Sequence, residues 1–161
     1  MKKVLFSLIA VLAMTFGASA LEIPSYIDKS GEFLTNASFT VGTNSSTSIT
    51  NGQYKPMPVQ PGVGFAFQPI IAGTNAAANT NVTFYIQFSL DGTNYSTTNG
   101  VSYTAKLNGT NDVIGYTNFP AAYIDNAKWA RLGSIFVDGG TNSAVVVTST
   151  RWQWRLEPLR P

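Results

Sequence analysis

Val82, Phe84, Ile86, Phe88 and Leu90 alternate without a break with Thr83, Tyr85, Gln87 and Ser89. A period of two places the five apolar side chains on one face of a β-strand and more polar groups on the other. No other stretch constrains the fold as tightly, because a slip of one residue would turn the whole apolar set to solvent. Asp91-Gly92 follows at once, a dipeptide suited to the positive φ of a tight hairpin. Thr93-Asn94 then leads into Tyr95–Thr98, and Asn99-Gly100 into a second run, Val101–Leu107. The pattern predicts a half-buried strand beside its hairpin partner, with Phe84, Ile86 and Phe88 almost fully buried.

Upstream, Lys2 and Lys3, the apolar Val4–Phe16 and the ending Gly17-Ala18-Ser19-Ala20 have the three regions of a secretory signal peptide cleaved after Ala20. The apolar segment is too short to span a bilayer comfortably. Residues 21–32, with Pro24 and Gly31, have no sustained period and read as an N-terminal arm. Residues 33–161 read as one domain. Phe33–Val41 alternates, with Phe33, Thr35, Ala37, Phe39 and Val41 on one side, and predicts the first strand. Gly42–Gly62 is a polar loop region with three prolines and room for a short strand at Ser48–Thr50. Val63–Ile71 is the next strand, with Val63, Phe65 and Phe67 inward; Pro69, lacking an N–H, places a bulge there or the strand at an edge.

Beyond the hairpin, Asp112–Thr117 and Trp129–Val137 read as strands, and Phe119–Lys128 holds a helical turn. Ser143–Leu156 is the longest run: Val145-Val146-Val147 is apolar on both faces, and then Thr150, Trp152, Trp154 and Leu156 alternate with Arg151, Gln153 and Arg155. Gly-Thr-Asn recurs at Gly42, Gly73, Gly92, Gly109 and Gly140, but the unequal spacing excludes a solenoid and marks turns instead. Seven to nine turn-punctuated strands with no helical period predict an antiparallel β-sandwich, jelly-roll or Ig-like.

Composition bears on function mainly by exclusion. The chain has no His and no Cys, so a Ser-His-Asp triad, a thiol nucleophile, a disulfide framework and a His or Cys metal site are ruled out. Phosphate-loop and dinucleotide motifs are also missing. Carboxylate chemistry remains, but Asp91 and Asp138 precede glycine, Asp112 follows Asn111 and Asp125 precedes Asn126, places where aspartate closes turns. Asp91, Asn94, Asp112 and Asp138 could offer oxygen to calcium, yet the twelve-residue loop pattern is absent. No enzyme activity, metal or cofactor is expected. Without Lys2 and Lys3, eight basic and eight acidic residues remain, so no electrostatic footprint for nucleic acid or an anionic membrane is expected. The expected location is extracellular.

Aromatic rings are the natural glycan platform, since their flat faces match the apolar face of a sugar. Trp129, Trp152 and Trp154 are the candidates, with Tyr85, Tyr95, Tyr103 and Tyr116. Alternation puts Trp152 and Trp154 on the core side with Leu156, whereas Tyr85 lies opposite the apolar face of its own strand and should point outward. Phe84–Tyr95 (FYIQFSLDGTNY), Trp129-Ala130-Arg131-Leu132 and Gly139-Gly140 before a valine-rich strand together resemble small β-sandwich modules of phage virion structural proteins and bacterial surface proteins. The resemblance covers about half of the chain after the signal peptide and implies a non-catalytic structural or adhesion role. A signal peptide departs from the virion version, whose members assemble in the cytoplasm.

The expectation is therefore a secreted structural or surface-assembly protein, with a carbohydrate-binding module as the alternative. Self is the expected partner. Strand edges are normally guarded by charge, yet Lys106 is the only lysine in a predicted strand. Ile23, Tyr26 and Ile27 of the arm could add a strand to a second copy, and Pro69 would blunt one edge.

Overall fold

The computed structural model describes residues 29–35, 38–42, 45–50, 52–72, 80–96, 100–107, 113–124, 126–138 and 144–156. The expected signal peptide, Ile23, Tyr26 and Ile27 of the expected arm, Asp112 and Asp125 lie outside the described residues. Among those described, no helix is long and apolar enough to cross a membrane.

The strands are β1 (Ser30–Glu32), β2 (Phe39–Gly42), β3 (Ser45–Ser48), β4 (Met57–Pro58), β5 (Val63–Ala72), β6 (Asn81–Ser89), β7 (Val101–Lys106), β8 (Val113–Ile114), β9 (Thr117–Phe119), β10 (Trp129–Asp138) and β11 (Ala144–Leu156), with a 3₁₀ turn at Ala121–Tyr123. They form two antiparallel sheets. In the six-stranded sheet β11 lies between β5 on one side and β1 and β2 on the other, and β5 carries β8 and β9 on its far side. In the five-stranded sheet β10 lies between β6 on one side and β3 and β4 on the other, and β7 closes the row beyond β6.

The pairing is nested. β2 lies beside β11, β3 beside β10, β5 beside β8 and β9, and β6 beside β7. One long antiparallel ribbon rolled over on itself has this pairing, with its first and third pairs in one sheet and its second and fourth in the other. The domain is a jelly roll.

Phenylalanines join the sheets at the centre. Phe67 of β5 packs edge-on against Phe84 of β6, centroids 5.5 Å apart, and against Phe33 at 5.8 Å and Tyr103 of β7 at 6.3 Å. Phe33, Phe65, Phe67, Phe84 and Ile86 are fully or almost fully buried. The expected inward positions of β5 and β6 hold to this point. Phe88, packed at the margin of the core, is only half-buried, and Leu90, one residue past the strand, is exposed.

Two bulges set which residues of the long strands face inward. In β10, Ala130 and Leu132 are buried, the register shifts between Leu132 and Ser134, and then Ile135 and Val137 are buried. In β11, Val145 and Val147 are buried, the register shifts before Ser149, and then Thr150, Trp152 and Trp154 take the inner face. Each extra residue moves the inward set from one parity to the other. Without the second bulge both tryptophans would face solvent.

Several sequence expectations are corrected. Phe33–Val41 is not one strand: Phe33 and Leu34 are both buried, Leu34 bridges to Tyr54, and the strand proper is Phe39–Gly42. The arm boundary moves, since Ser30–Glu32 pairs with Arg151–Gln153 as part of the sheet. Glu32 holds it there, accepting the Thr150 N–H at 2.7 Å, the Ser149 hydroxyl at 2.9 Å and Arg151 Nε at 3.2 Å. The short strand at Ser48–Thr50 is Ser45–Ser48 instead, and Asp112–Thr117 divides into β8 and β9. Pro69 is buried on an inner strand, so it guards no edge. It lies opposite the break between β8 and β9, where its carbonyl accepts the Gly115 N–H at 2.9 Å. The missing donor is tolerated because no ladder runs there.

Candidate functional site

The outer face of the five-stranded sheet is closed at one end and open at the other. Closure comes from the segment after β6. Ser89 Oγ donates to Asp91 Oδ1 at 2.9 Å and accepts the N–H groups of Asp91 and Gly92. Asp91 Oδ1 also accepts the N–H of Thr93 and of Asn94, both at 2.8 Å, while Oδ2 takes the Asn94 side-chain amide. Gly92 supplies the positive φ, +78°. Asp91 is thus a turn-closing residue, and its oxygens are spent on the loop rather than offered to calcium.

These hydrogen bonds to the charged form, those from the Asn94 and Thr93 N–H groups above all, hold the Asp91 carboxyl far below its ordinary value of 3.8. With the folded value depressed, Asp91's contribution to the loop is complete above about pH 4 and is lost only as pH falls far below that. Asp91→Ala should free the Thr93 and Asn94 amides, and hydrogen exchange at those two sites checks it. Unchanged protection in the variant would contradict the assignment.

The loop carries Tyr95 back over the sheet. The Arg131 guanidinium stacks on Tyr95 at 4.3 Å and on Tyr54 at 4.8 Å, and the two rings meet edge-on at 5.9 Å. Arg131 Nε and one terminal nitrogen both donate to Gln87 Oε1, at 3.1 and 3.0 Å. Burial raises the Tyr95 hydroxyl above its usual pKa, with Tyr54 adding and Arg131 opposing. That hydroxyl is enclosed and has no hydrogen-bond partner among the described residues. The stack joins three distant segments and staples the loop down over Trp129, whose indole lies against Gly92. Trp129 is therefore half-buried and not a free platform.

Toward the other end the face is open. Tyr85 is 43% exposed, as alternation requires, and is paired in register with Ser102 of β7. Beside it Thr83 and Thr104 share a hydroxyl hydrogen bond at 2.9 Å. Trp152 and Trp154 are not on this face at all. Trp152 packs on Phe33 at 6.4 Å, and Trp154 donates its indole N–H to the Pro58 carbonyl across the sandwich at 3.0 Å. Of the aromatic candidates only Tyr85 and, beside the other sheet, Tyr116 are exposed, so no row of rings is assembled on one face.

The sequence did not single out the edge of β7. Leu107 N donates to Thr80 O at 2.8 Å, one register step beyond the β6–β7 ladder. Antiparallel alternation then makes Val101, Tyr103 and Ala105 the residues bonded to β6, and turns the N–H and C=O of Ser102, Thr104 and Lys106 outward. All three are exposed, and no described strand lies beyond them. Lys106 as the sole strand lysine was the available signal, because lysine is common on edges.

No protein-family model matches the chain, and no curated protein sequence matches it. Among solved structures it is similar to a chain in the structure of infectious bursal disease virus, Gx strain, at 7% identity and TM-score 0.50, covering 83% of this chain and 34% of that one. A chain from the Gt strain gives the same identity and score. The xylan-binding module CBM15 matches at 10% identity and TM-score 0.46, over 81% of this chain and 99% of the module. The chain spans about a third of the viral chains it resembles. At these identities the likeness is one of fold.

Proposed function

We propose that this chain is a non-catalytic, extracellular jelly-roll subunit that builds a surface or shell by pairing with copies of itself. The open β7 edge carries the reading. Ser102, Thr104 and Lys106 present backbone groups that no described strand pairs, and a strand of opposite direction can extend the sheet there. A two-fold axis at Thr104 makes the contact self-complementary: Thr104 faces Thr104 of the second copy, and Ser102 faces the second copy's Lys106. No like charges then meet, and the near-zero net charge adds little long-range repulsion. The non-catalytic part is supported by the lack of His and Cys and by the engagement of Glu32 and Asp91 in backbone hydrogen bonds. Jelly rolls serve both capsid and lectin domains, so the fold alone selects neither role.

The register supplies the test. Ser102→Glu should tighten the dimer by placing opposite charges across from each other twice, and Ser102→Lys should loosen it. Each pair contributes about 0.2–1 kcal/mol, so two pairs change Kd by about two- to thirty-fold. Sedimentation of the purified protein reads this directly. A clean monomer at about 100 μM, a concentration at which weak interfaces fill, or equal effects of the two variants would overturn the reading.

A further inference from the structure

The outer face of the six-stranded sheet holds a groove of about 500 Å³, within the usual range for ligand sites. Its floor exists because β5 presents Ala66 outward, between long side chains on either flank. In register, Arg155 lies beside Gly64, Gln153 beside Ala66 and Arg151 beside Gln68, with Asn118 of β9 on the other side of Ala66. Arg155 donates to the Tyr116 hydroxyl at 3.0 Å and to Asn118 Oδ1 at 2.9 Å. The Tyr116 hydroxyl in turn donates to Asn118 at 3.1 Å. This closes one end and holds the 55%-exposed Tyr116 ring as a wall.

Arg151 supplies the charged donors left over in the groove. Glu32 is the carboxylate in the groove lining, and both of its oxygens are occupied by Ser149, Thr150 and Arg151. Its contact orients Arg151 through Nε and leaves the two terminal nitrogens, which have no partner among the described residues. The Gln68 amide likewise makes no side-chain hydrogen bond to a described residue. Arg151 and Arg155 against Glu32 give a local charge of +1. Four residues apart on one strand face, the two guanidinium groups are rooted about 13 Å from each other, a spacing that suits a chain molecule better than a single ion.

We infer that this groove binds an acidic oligosaccharide, a hydroxylated chain bearing carboxylates. Arginine matches carboxylate geometry with paired N–H groups, Gln68 serves ring hydroxyls, and the Tyr116 face takes the apolar side of one sugar. The inference goes beyond self-assembly and is independent of it.

Titration calorimetry with an oligogalacturonate, and with the same chain after its carboxyls are reduced to alcohols, is the experiment. The acidic chain should bind, weaken with added salt, and exceed the neutral chain by about tenfold or more, as expected when a charge-assisted hydrogen bond is lost. Ala66→Phe fills the floor and should abolish binding while circular dichroism shows the β fold and sedimentation the oligomeric state retained. Arg151→Gln should reduce affinity for the acidic chain and leave any neutral binding alone. No binding at millimolar concentration, equal affinity for the two chains, or full binding by Ala66→Phe would each overturn the inference.

Discussion

Phe67→Ala is expected to destabilise the domain by about 3–5 kcal/mol, lowering the melting temperature by about 10–20 °C. Phe67 has no exposed surface and touches rings from three other segments: Phe33 before β2, Phe84 in the facing sheet and Tyr103 on the edge strand. Removing it loses the transfer free energy of the ring and leaves a cavity that rigid strands on both sides collapse into poorly. Total stability for such a domain is about 5–15 kcal/mol, so the variant should be near unfolding at physiological temperature. Phe88→Ala is the control on β6. Half-buried at the margin of the core, it should cost only about 1–2 kcal/mol. Urea denaturation of the two variants measures both, and equal losses would show that the two sheets do not meet where described.

Gly100→Ala is the second large effect, and its sign separates two explanations for the same residue. Gly100 follows Asn99, and a turn glycine in an unstrained conformation gains about 0.4–1 kcal/mol when replaced by alanine. Gly100 is not among the described glycines with positive φ, which are Gly52, Gly62 and Gly92. It is glycine because a Cβ there would strike the carbonyl of Ile86. By the alternation of the β6–β7 ladder, that carbonyl accepts the N–H of Val101. Backbone cannot rotate away as a flexible side chain does, so β7 must shift at its first residue. A loss of about 2–3 kcal/mol is expected, with weaker self-association, since β7 carries the open edge. Chemical denaturation decides it, and a neutral or stabilised variant would return Gly100 to an ordinary turn role.

The period-two alternation by itself determined that β5, β6 and the second half of β11 are strands with Phe65, Phe67, Phe84, Trp152 and Trp154 inward and Tyr85 outward. Alternation is a property of a single strand and needs no partner to be read. Asp91 as a turn closer was legible for the same reason, since its acceptors serve N–H groups within three residues. What pairs with what was decided only in the tertiary structure. The partner of β6 is Val101–Lys106, while the Arg131–Tyr54–Tyr95 stack draws Tyr95 over the sheet face. That stack joins positions 54, 95 and 131, which no local pattern links. Ser30–Glu32, too short to show a period, becomes a strand because Glu32 meets the backbone at the β11 bulge. The groove over Ala66 needs Arg155, Asn118 and Tyr116 brought around one small residue from separate strands. Cross-strand pairing depends on side chains far apart in the chain, and a bulge of one residue reverses which of them face the core.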